Sequence, residues 1–373
     1  MRVVVAPDKF KGSLDAAAVA AALAAGLRDV VPGVVCDLVP MADGGDGTVA
    51  AFLASGAAAR RLRVAGPLAD PVEATYAREG TTAVIEMAAA SGLALLRRRR
   101  RDPRRATTYG TGELLRDALD GGARTIVLGI GGSATVDGGA GALAALGVRF
   151  LDAQGYVLVP VPAALAALER VDLSELDPRL AGVDLAIACD VDNPLLGRHG
   201  AAAVYGPQKG ASPADVAFLD GVLARLADAM AAATGRDLRA LPGAGAAGGL
   251  GWALASVCGA RLESGVALVA QVRGLAERLV GADACWTGEG RIDAQTLRGK
   301  VVAGVAALAR EAGVPVVAFG GSVDLAVEPA LRERGVRCVP IVPGPLPLRV
   351  AMREGAANLR AAAARVAALQ YGG

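Results

Sequence analysis

The 373-residue chain contains one histidine, His199. A zinc site built from several histidines is therefore excluded, and a Ser-His-Asp triad would have to run through His199 alone. The five cysteines (Cys36, Cys189, Cys258, Cys285, Cys338) are scattered and form no CxxC pair. An odd, dispersed set reads as reduced thiols of a cytoplasmic protein, with Cys189 and Cys285 as inert packing groups at the ends of strands. Aromatic residues make up only 3% of the chain. None interrupts RRRRRDPRR (97–105), so this run reads as a solvated surface loop rather than a nucleic-acid site. The net charge of +2 gives no global attraction to nucleic acid or to a membrane. No uninterrupted apolar stretch approaches the roughly 20 residues of a spanning helix. The opening MRVVVAPDKF lacks a signal-peptide layout, because Pro7, Asp8 and Lys9 interrupt the apolar run early.

The chain does have apolar residues in quantity, 53% of the total, and a length that favours two domains over one. Strand patterns at 2–7 and 34–41 alternate with helix patterns at 15–27 and 46–55, with Ser13 as a candidate N-cap. Strands are expected near 72–78, 82–87, 125–130, 148–151, 156–159 and 183–189, with helices near 112–119, 139–146 and 215–234. The chain closes on a strand at ADACWTG, a helix at KVVAGVAALAREAG, strands at VPVVAFGG and VRCVPIV, and a helix over 349–369. The expected class is α/β: two α/β domains, one a Rossmann-like parallel sheet split by the other. The split domain is expected to comprise 1–66 and 275–373, and the inserted domain 67–274. GPLADPVEATY (66–76) reads as the crossing between them.

Ligands of open parallel sheets sit beyond the carboxyl ends of the strands. The segments expected there are DKFKGS after 2–7, ADGGDGT after 34–41, GGSATVDGG after 125–130, DVDNPL after 183–189 and GEGRID after 283–287. Loops after strands are commonly polar and glycine-rich, which is the plain alternative for any one of them. Five loops that all carry a carboxylate, most with glycine, point to a site. Glycine amides attract anions, above all phosphate. Carboxylates beside them suit a bridging Mg²⁺ or the removal of a proton from an attacking hydroxyl. Lys9, Lys11, Lys300 and Arg291 would neutralise phosphate oxygens. Together these are the components of phosphoryl transfer, although GxxxxGK[ST] and the protein-kinase signatures are absent.

The stretch GIGGSATVDGGAG (129–141) holds six glycines around Ser133, Thr135 and Asp137. It also supports a rival reading. Gly129-x-Gly131-x-x-Ala134 fits the GxGxxG/A dinucleotide fingerprint, with Asp152 about 20 residues on. That would make the protein an NAD(P)-dependent hydroxy-acid dehydrogenase. It ranks second, because Gly138, Gly139 and Gly141 suit a tightly packed helix poorly and the other acidic loops stay unexplained. A non-catalytic nucleotide or sugar-acid sensor is the third reading.

Taken in order, APDKFKGSL, PMADGGDGT, TTYGTGELL, GIGGSATVDGGAG, ACDVDNPLLG, YGPQKGA, GAGAAGGLG and TGEGRIDAQTLRGK resemble the motifs of the type I glycerate kinase family over nearly the whole chain. Lys9 stands where the family commonly has serine, and Asp46 where it has glutamate. The resemblance implies ATP-dependent, Mg²⁺-assisted phosphorylation of D-glycerate to 2-phosphoglycerate, ahead of 3-phosphoglycerate, by two α/β domains. The residue roles are our own inference. Asp190 is the expected base with Asp293 next, and Lys11 meets phosphate or the glycerate carboxylate. Asp8, Ser13, Gly131, Gly132, Ser133, Thr135, Glu289, Arg291 and Lys300 bind substrate or nucleotide. Asp192 and Asp43 hold the metal. His199 is expected to be an ordinary loop residue, Trp252 and Trp286 core or pocket wall, and Tyr109 either packed or stacked on adenine. GAGAAGGLGWAL (243–254) reads as an anion cradle or as a close helix crossing.

Overall fold

The computed structural model describes residues 1–371. In chain order its strands are β1 (Arg2–Val5), β2 (Val35–Leu38), β3 (Ala58–Ala65), β4 (Pro71–Glu79), β5 (Thr82–Glu86), β6 (Thr125–Gly129), β7 (Arg149–Leu151), β8 (Arg170–Asp172), β9 (Asp184–Ala188), β10 (Arg261–Glu263), β11 (Ala284–Ile292), β12 (Val316–Val323) and β13 (Val336–Pro340). The chain divides into two compact units. The first takes Met1–Asp43, Ala50–Gly56 and the chain from Ser264 onward; the second takes Gly44–Val49 and Ala57–Glu263.

The first unit is built on a five-stranded sheet in the order β13-β12-β11-β1-β2, with every neighbour parallel. Numbered within the unit, this is the doubly wound order 2-1-3-4-5. The order reverses between β1 and β11, where such sheets open a crevice at their carboxyl ends. Helices Ala16–Arg28 and Gly355–Tyr371 pack together on one face, over Val3, Val5, Trp286 and Phe319. Helix Val301–Glu311 buries Val301, Val302 and Val305 and packs on β11. The near-continuous apolar strands follow from this cover on both faces.

The second unit carries a six-stranded sheet in the order β10-β9-β6-β5-β4-β3. Its β5-β6-β9-β10 part is parallel and its β3-β4-β5 part antiparallel. Strands β7 and β8 form a separate antiparallel pair. The core of this unit is aliphatic, with Phe150, Tyr76 and Trp252 as its large rings.

Several expectations differ from this architecture. Residues 66–76 are not a crossing. Ala65 pairs with Pro71, so Gly66–Asp70 is the turn of the β3–β4 hairpin, and residues 58–65 belong to the second sheet. Residues 156–159 form no strand and make one isolated bridge, Leu151 with Val157. Ser13 does not cap the first helix. Its hydroxyl donates to the Met352 carbonyl, and Asp15 is the cap, accepting from Ala18 N at 2.7 Å. Among the described residues no helix is long and apolar enough to cross a membrane.

Candidate functional site

The carboxyl ends of β1 and β11 set up an acidic group at the reversal point of the first sheet. Asp8 follows β1, and its amide donates to the Gly288 carbonyl at 2.8 Å, so the two strands hold each other's ends in register. Glu289 lies within β11 and accepts from the Thr296 hydroxyl, which in turn accepts from Asp293 N at 3.0 Å. Both carboxyls are nearly shut off from water, Asp8 at 7% exposure and Glu289 at 4%. Burial disfavours the charged form. It pushes Asp8 up to about 6, against the pull of Lys9 and Lys300 and with a further push from Asp43. It pushes Glu289 up to about 7, against the Thr296 hydrogen bond and Lys300, with Asp8 and Asp293 adding to the rise. Lys300 therefore bears on both acids. It is the residue immediately before helix Val301–Glu311, and its carbonyl accepts from Gly304 N.

Other expected residues of the first unit stand at the margin of this group. Asp293 accepts from Gln295 N at 2.8 Å and pairs with Arg291 at 3.2 Å; the Arg291 side chain is 73% exposed. Lys11 is exposed and pairs with no carboxylate among the described residues. Lys9 is the nearer cation to Asp8 in effect, second only to burial in setting its acidity. Asp43 is half-buried.

The second unit carries the glycine loop. It leaves β6 and is stitched backward: Leu93 N donates to the Gly132 carbonyl at 2.8 Å and Ala134 N to the Ser91 carbonyl at 2.9 Å. Helix Ala140–Ala145 starts only after Gly139. The dinucleotide reading fails here, because that fingerprint needs the glycine turn to lead directly into a helix whose amides face the pyrophosphate. Ten residues, 130–139, separate the end of β6 from the helix, the helix has six, and Asp152 is spent on its own turn, accepting from Gln154 N and Tyr156 N at 2.9 Å.

Polypeptide, rather than open space, lies against the later glycines of this loop. A Cβ on Gly141 would stand 2.2 Å from Thr107 Oγ1 and 2.5 Å from Tyr109 N. Gly131 differs, with only Gly45 Cα at 3.3 Å, and Gly132 has a φ of +72° with Ala88 Cβ at 3.4 Å. These two glycines are exposed.

Two buried ionisable residues support the loop, and neither was among the expected site residues. Asp137 is fully buried and accepts from Thr108 N (2.7 Å), Thr108 Oγ1 (2.8 Å), Gly139 N and Gly141 N (3.2 Å each). Burial raises its pKa against these four donors. Lys209, 2% exposed, donates through Nζ to Ser133 Oγ (2.6 Å) and to the Thr135 carbonyl (2.7 Å). Burial lowers it to about 7, with Asp137 opposing. Thr135 Oγ1 is buried without a hydrogen-bond partner among the described residues. The sequence signal for Lys209 was its place between glycines in YGPQKGA.

Asp190 and Asp192 follow β9 on an exposed loop. Burial raises the Cys189 thiol and the Tyr205 hydroxyl, with Asp190 adding a little to the first and Asp192 to the second; the Tyr205 ring centre lies 6.0 Å from Lys209 Nζ. His199 is exposed, and its carbonyl accepts from Asn193 Nδ2 at 2.8 Å. Tyr109 opens helix Tyr109–Asp120. Trp252 and Trp286 are core, and Cys285 is buried with its thiol pushed up to about 12. The 243–254 stretch leads into helix Leu250–Cys258, with Gly248 backed against the Thr135 carbonyl, so it is a close packing contact. Among the described residues, no three histidine, cysteine or acidic side chains stand close enough together to hold a metal ion by themselves.

Comparison with known proteins agrees with this layout. The model of the glycerate kinase family matches residues 3–371. A Halalkalibacterium halodurans protein named glycerate kinase is 47% identical over 369 residues, covering 98% of this chain and 97% of its own. An Escherichia coli protein named glycerate 2-kinase is 46% identical over 325 residues, 86% of this chain and 85% of its own. The crystal structure of a Salmonella typhimurium LT2 protein provisionally named glycerate kinase 2 superposes with a TM-score of 0.88 at 42% identity, covering 99% of this chain and 98% of the other. With a match of this extent, the chain belongs to the glycerate kinase family.

Proposed function

We propose that the protein transfers the γ-phosphoryl group of ATP to the 2-hydroxyl of D-glycerate, giving 2-phosphoglycerate and ADP. The observation that carries this reading is the buried Asp8–Glu289 pair beside Lys300, at the reversal point of a doubly wound sheet. The name of the E. coli relative favours the 2-hydroxyl. A sensor would not need two carboxyls held near neutral pH, and family membership speaks for catalysis.

A general base works best when its pKa lies near the working pH. Glu289, at about 7, is the acid with that property, and it takes over the role that the sequence suggested for Asp190 or Asp293. As the glycerate oxygen bonds to the γ-phosphorus, its proton passes to Glu289 and the bond from that phosphorus to the β–γ bridging oxygen breaks in line. The Thr296 hydroxyl orients the carboxylate. Lys300 and Arg291 carry phosphate charge, and Lys11 the glycerate carboxylate. Ser13 is released from substrate binding, since its hydroxyl is taken by Met352.

Mg²⁺ fits the donor set. Asp8 and Asp43 are hard oxygen donors whose mutual repulsion a cation would relieve, and Mg²⁺ on a nucleotide commonly needs only one or two carboxylates. These two would hold it, where it would neutralise phosphate oxygens. Within the second unit, Gly131, Gly132 and Ser133 offer amides and a hydroxyl to an anion, Thr135 lies behind them, and Asp190 and Asp192 keep a secondary role at the β9 end.

The test is ADP release with ATP and D-glycerate, with the product identified by ³¹P NMR. Glu289→Gln should lower kcat by at least about 10² with little change in the KM for ATP. A folded variant within a few-fold of wild type removes Glu289 from this role. Binding of D-glycerate and ATP without ADP release returns the sensor reading.

A further inference from the structure

The arginine run at 97–105 borders a cavity that the proposed reaction does not use. Seven arginines and one aspartate fall within nine residues. Residues Leu68, Arg99, Arg100, Arg101, Arg104 and Arg105 help line a space of about 410 Å³ within the second unit. That volume suits a small metabolite.

The loop is fixed in place. Arg98–Arg100 is a turn of 3-10 helix, Asp102 Oδ1 accepts from Arg104 N at 3.1 Å, and the Arg104 carbonyl accepts from Ala163 N at 2.9 Å. Arg104 pairs with Asp215 at 2.5 Å and lies 4.2 Å from the centre of the Phe218 ring. Arg100 pairs with Asp70 at 2.6 Å.

These ion pairs leave charge over. Among the described residues, no carboxylate pairs with Arg97, Arg98, Arg99 or Arg105. Arg101 Nε is buried and has no hydrogen-bond partner among the described residues. Asp215, the other acid of the wall besides Asp102, is engaged by Arg104 and by the Ser212 cap. A fixed excess of guanidinium groups around a cavity raises the local concentration of anions, and planar guanidinium forks match phosphate oxygens.

We propose that this cavity binds a small phosphate-bearing anion, and that it is a site separate in its residues from the acidic group at Asp8 and Glu289. The proposal does not rest on the kinase reading. The occupant is a phosphate monoester or free phosphate, which share the oxyanion chemistry that Arg99, Arg101 and Arg105 offer. Its presence would reach the glycine loop by a short route of two hydrogen bonds and one peptide link: Arg101 Nη1 donates to the Gln208 carbonyl at 2.9 Å, and the next residue is Lys209, which holds Ser133.

Calorimetric titration at low ionic strength tests this on the full chain and on the double variant Arg99→Gln/Arg105→Gln, whose changed residues are exposed and outside the proposed catalytic group. The probes are 2-phosphoglycerate, inorganic phosphate and D-glycerate. Wild type should bind both phosphates in a class of sites that the double variant weakens at least about tenfold, as the loss of charge-assisted hydrogen bonds implies. The double variant should keep the wild-type kcat and melting temperature. Tighter binding of 2-phosphoglycerate identifies an ester as the occupant, and tighter binding of inorganic phosphate identifies the free ion. Indistinguishable titrations of wild type and double variant overturn the proposal. It is also overturned if a single-stranded oligonucleotide binds wild type more tightly than either phosphate and the double variant loses that binding.

Discussion

Lys209 Nζ lies 2.6 Å from Ser133 Oγ, in a pocket that leaves the lysine 2% exposed. One amine thus ties the serine hydroxyl and the Thr135 carbonyl of the glycine loop together. Burial makes this amine a weak base, with a pKa of about 7 in place of 10.5. The unfolded chain keeps the ordinary value, so between about pH 7 and 10.5 it binds more protons than the folded protein. Stability from this group therefore rises with pH across that window and is at its lowest below pH 7.

Replacing Lys209 by methionine keeps the aliphatic stem and removes the donor. Ser133 Oγ and the Thr135 carbonyl lose their partner, a cost of about 2–4 kcal/mol for two buried groups. The variant should melt below wild type at pH 9, and by a smaller margin at pH 6, where wild type itself carries the buried charge. Melting curves over this range check the expectation. A gap that stays constant from pH 6 to 9 would show that Lys209 does not titrate in the fold.

Glu289 gives the opposite slope. Its carboxyl is raised to about 7 from an ordinary 4.5, so the folded protein holds a proton that the unfolded chain has released. This contribution is present below pH 4.5 and is lost as the pH rises through 7. The shift corresponds to roughly 3 kcal/mol. Glu289→Gln retains an acceptor for the Thr296 hydroxyl and carries no charge. At pH 8 this variant should melt above wild type while turning over far more slowly; at pH 4.5 the two should melt together. Equal melting at pH 8 would mean that the carboxylate is not held at a cost to the fold.

The central strands of the first unit's parallel sheet were legible in the sequence because β1, β11 and β12 are buried over most of their length. RVVV and the apolar part of ADACWTG read as strands without any tertiary information. Strand β3 was not legible. AARRLRVA lies at the edge of its sheet with most side chains in water, so neither alternation nor an apolar run marks it. Pro67, Asp70 and Pro71 stand in the stretch read as a crossing between domains, but they serve a hairpin. Asp8 could be placed after its strand by counting, whereas Glu289, expected just beyond a strand at 283–287, lies inside β11, which runs on to Ile292; the partners of these two buried acids, Gly288 for the Asp8 amide and Thr296 for the Glu289 carboxyl, are brought to them by the fold. Lys209 is 76 residues from Ser133, and the glycines that flank it in YGPQKGA mark the segment without announcing that its lysine will be buried.

Glycine was the least legible of all, because a missing Cβ has the same letter whether a ligand or the chain itself needs the room. The loop from Gly129 to Gly141 separates the two causes. At Gly141 a methyl group would stand 2.2 Å from the Thr107 hydroxyl and 2.5 Å from the Tyr109 amide, which are hydrogen-bonded to each other on either side of Thr108, a donor to the buried Asp137. Gly141→Ala must push apart backbone that cannot yield cheaply, so it should lower the melting temperature by several degrees, a cost of the order of 1–3 kcal/mol for overpacking. Gly132 is a poor probe of ligand binding, since its φ of +72° strains any side chain. Gly131 is the clean one. It has no positive φ, an added Cβ would meet Gly45 Cα at 3.3 Å and no other non-adjacent atom among the described residues within 4 Å, and it faces solvent. If its amide and bare α-carbon receive an anion, Gly131→Ala should raise the KM for ATP or for glycerate several-fold while the melting temperature moves by no more than a degree or two. If the same substitution leaves both KM values at wild-type levels, the exposed part of the loop touches neither substrate, and its glycines serve the packing of the second unit alone.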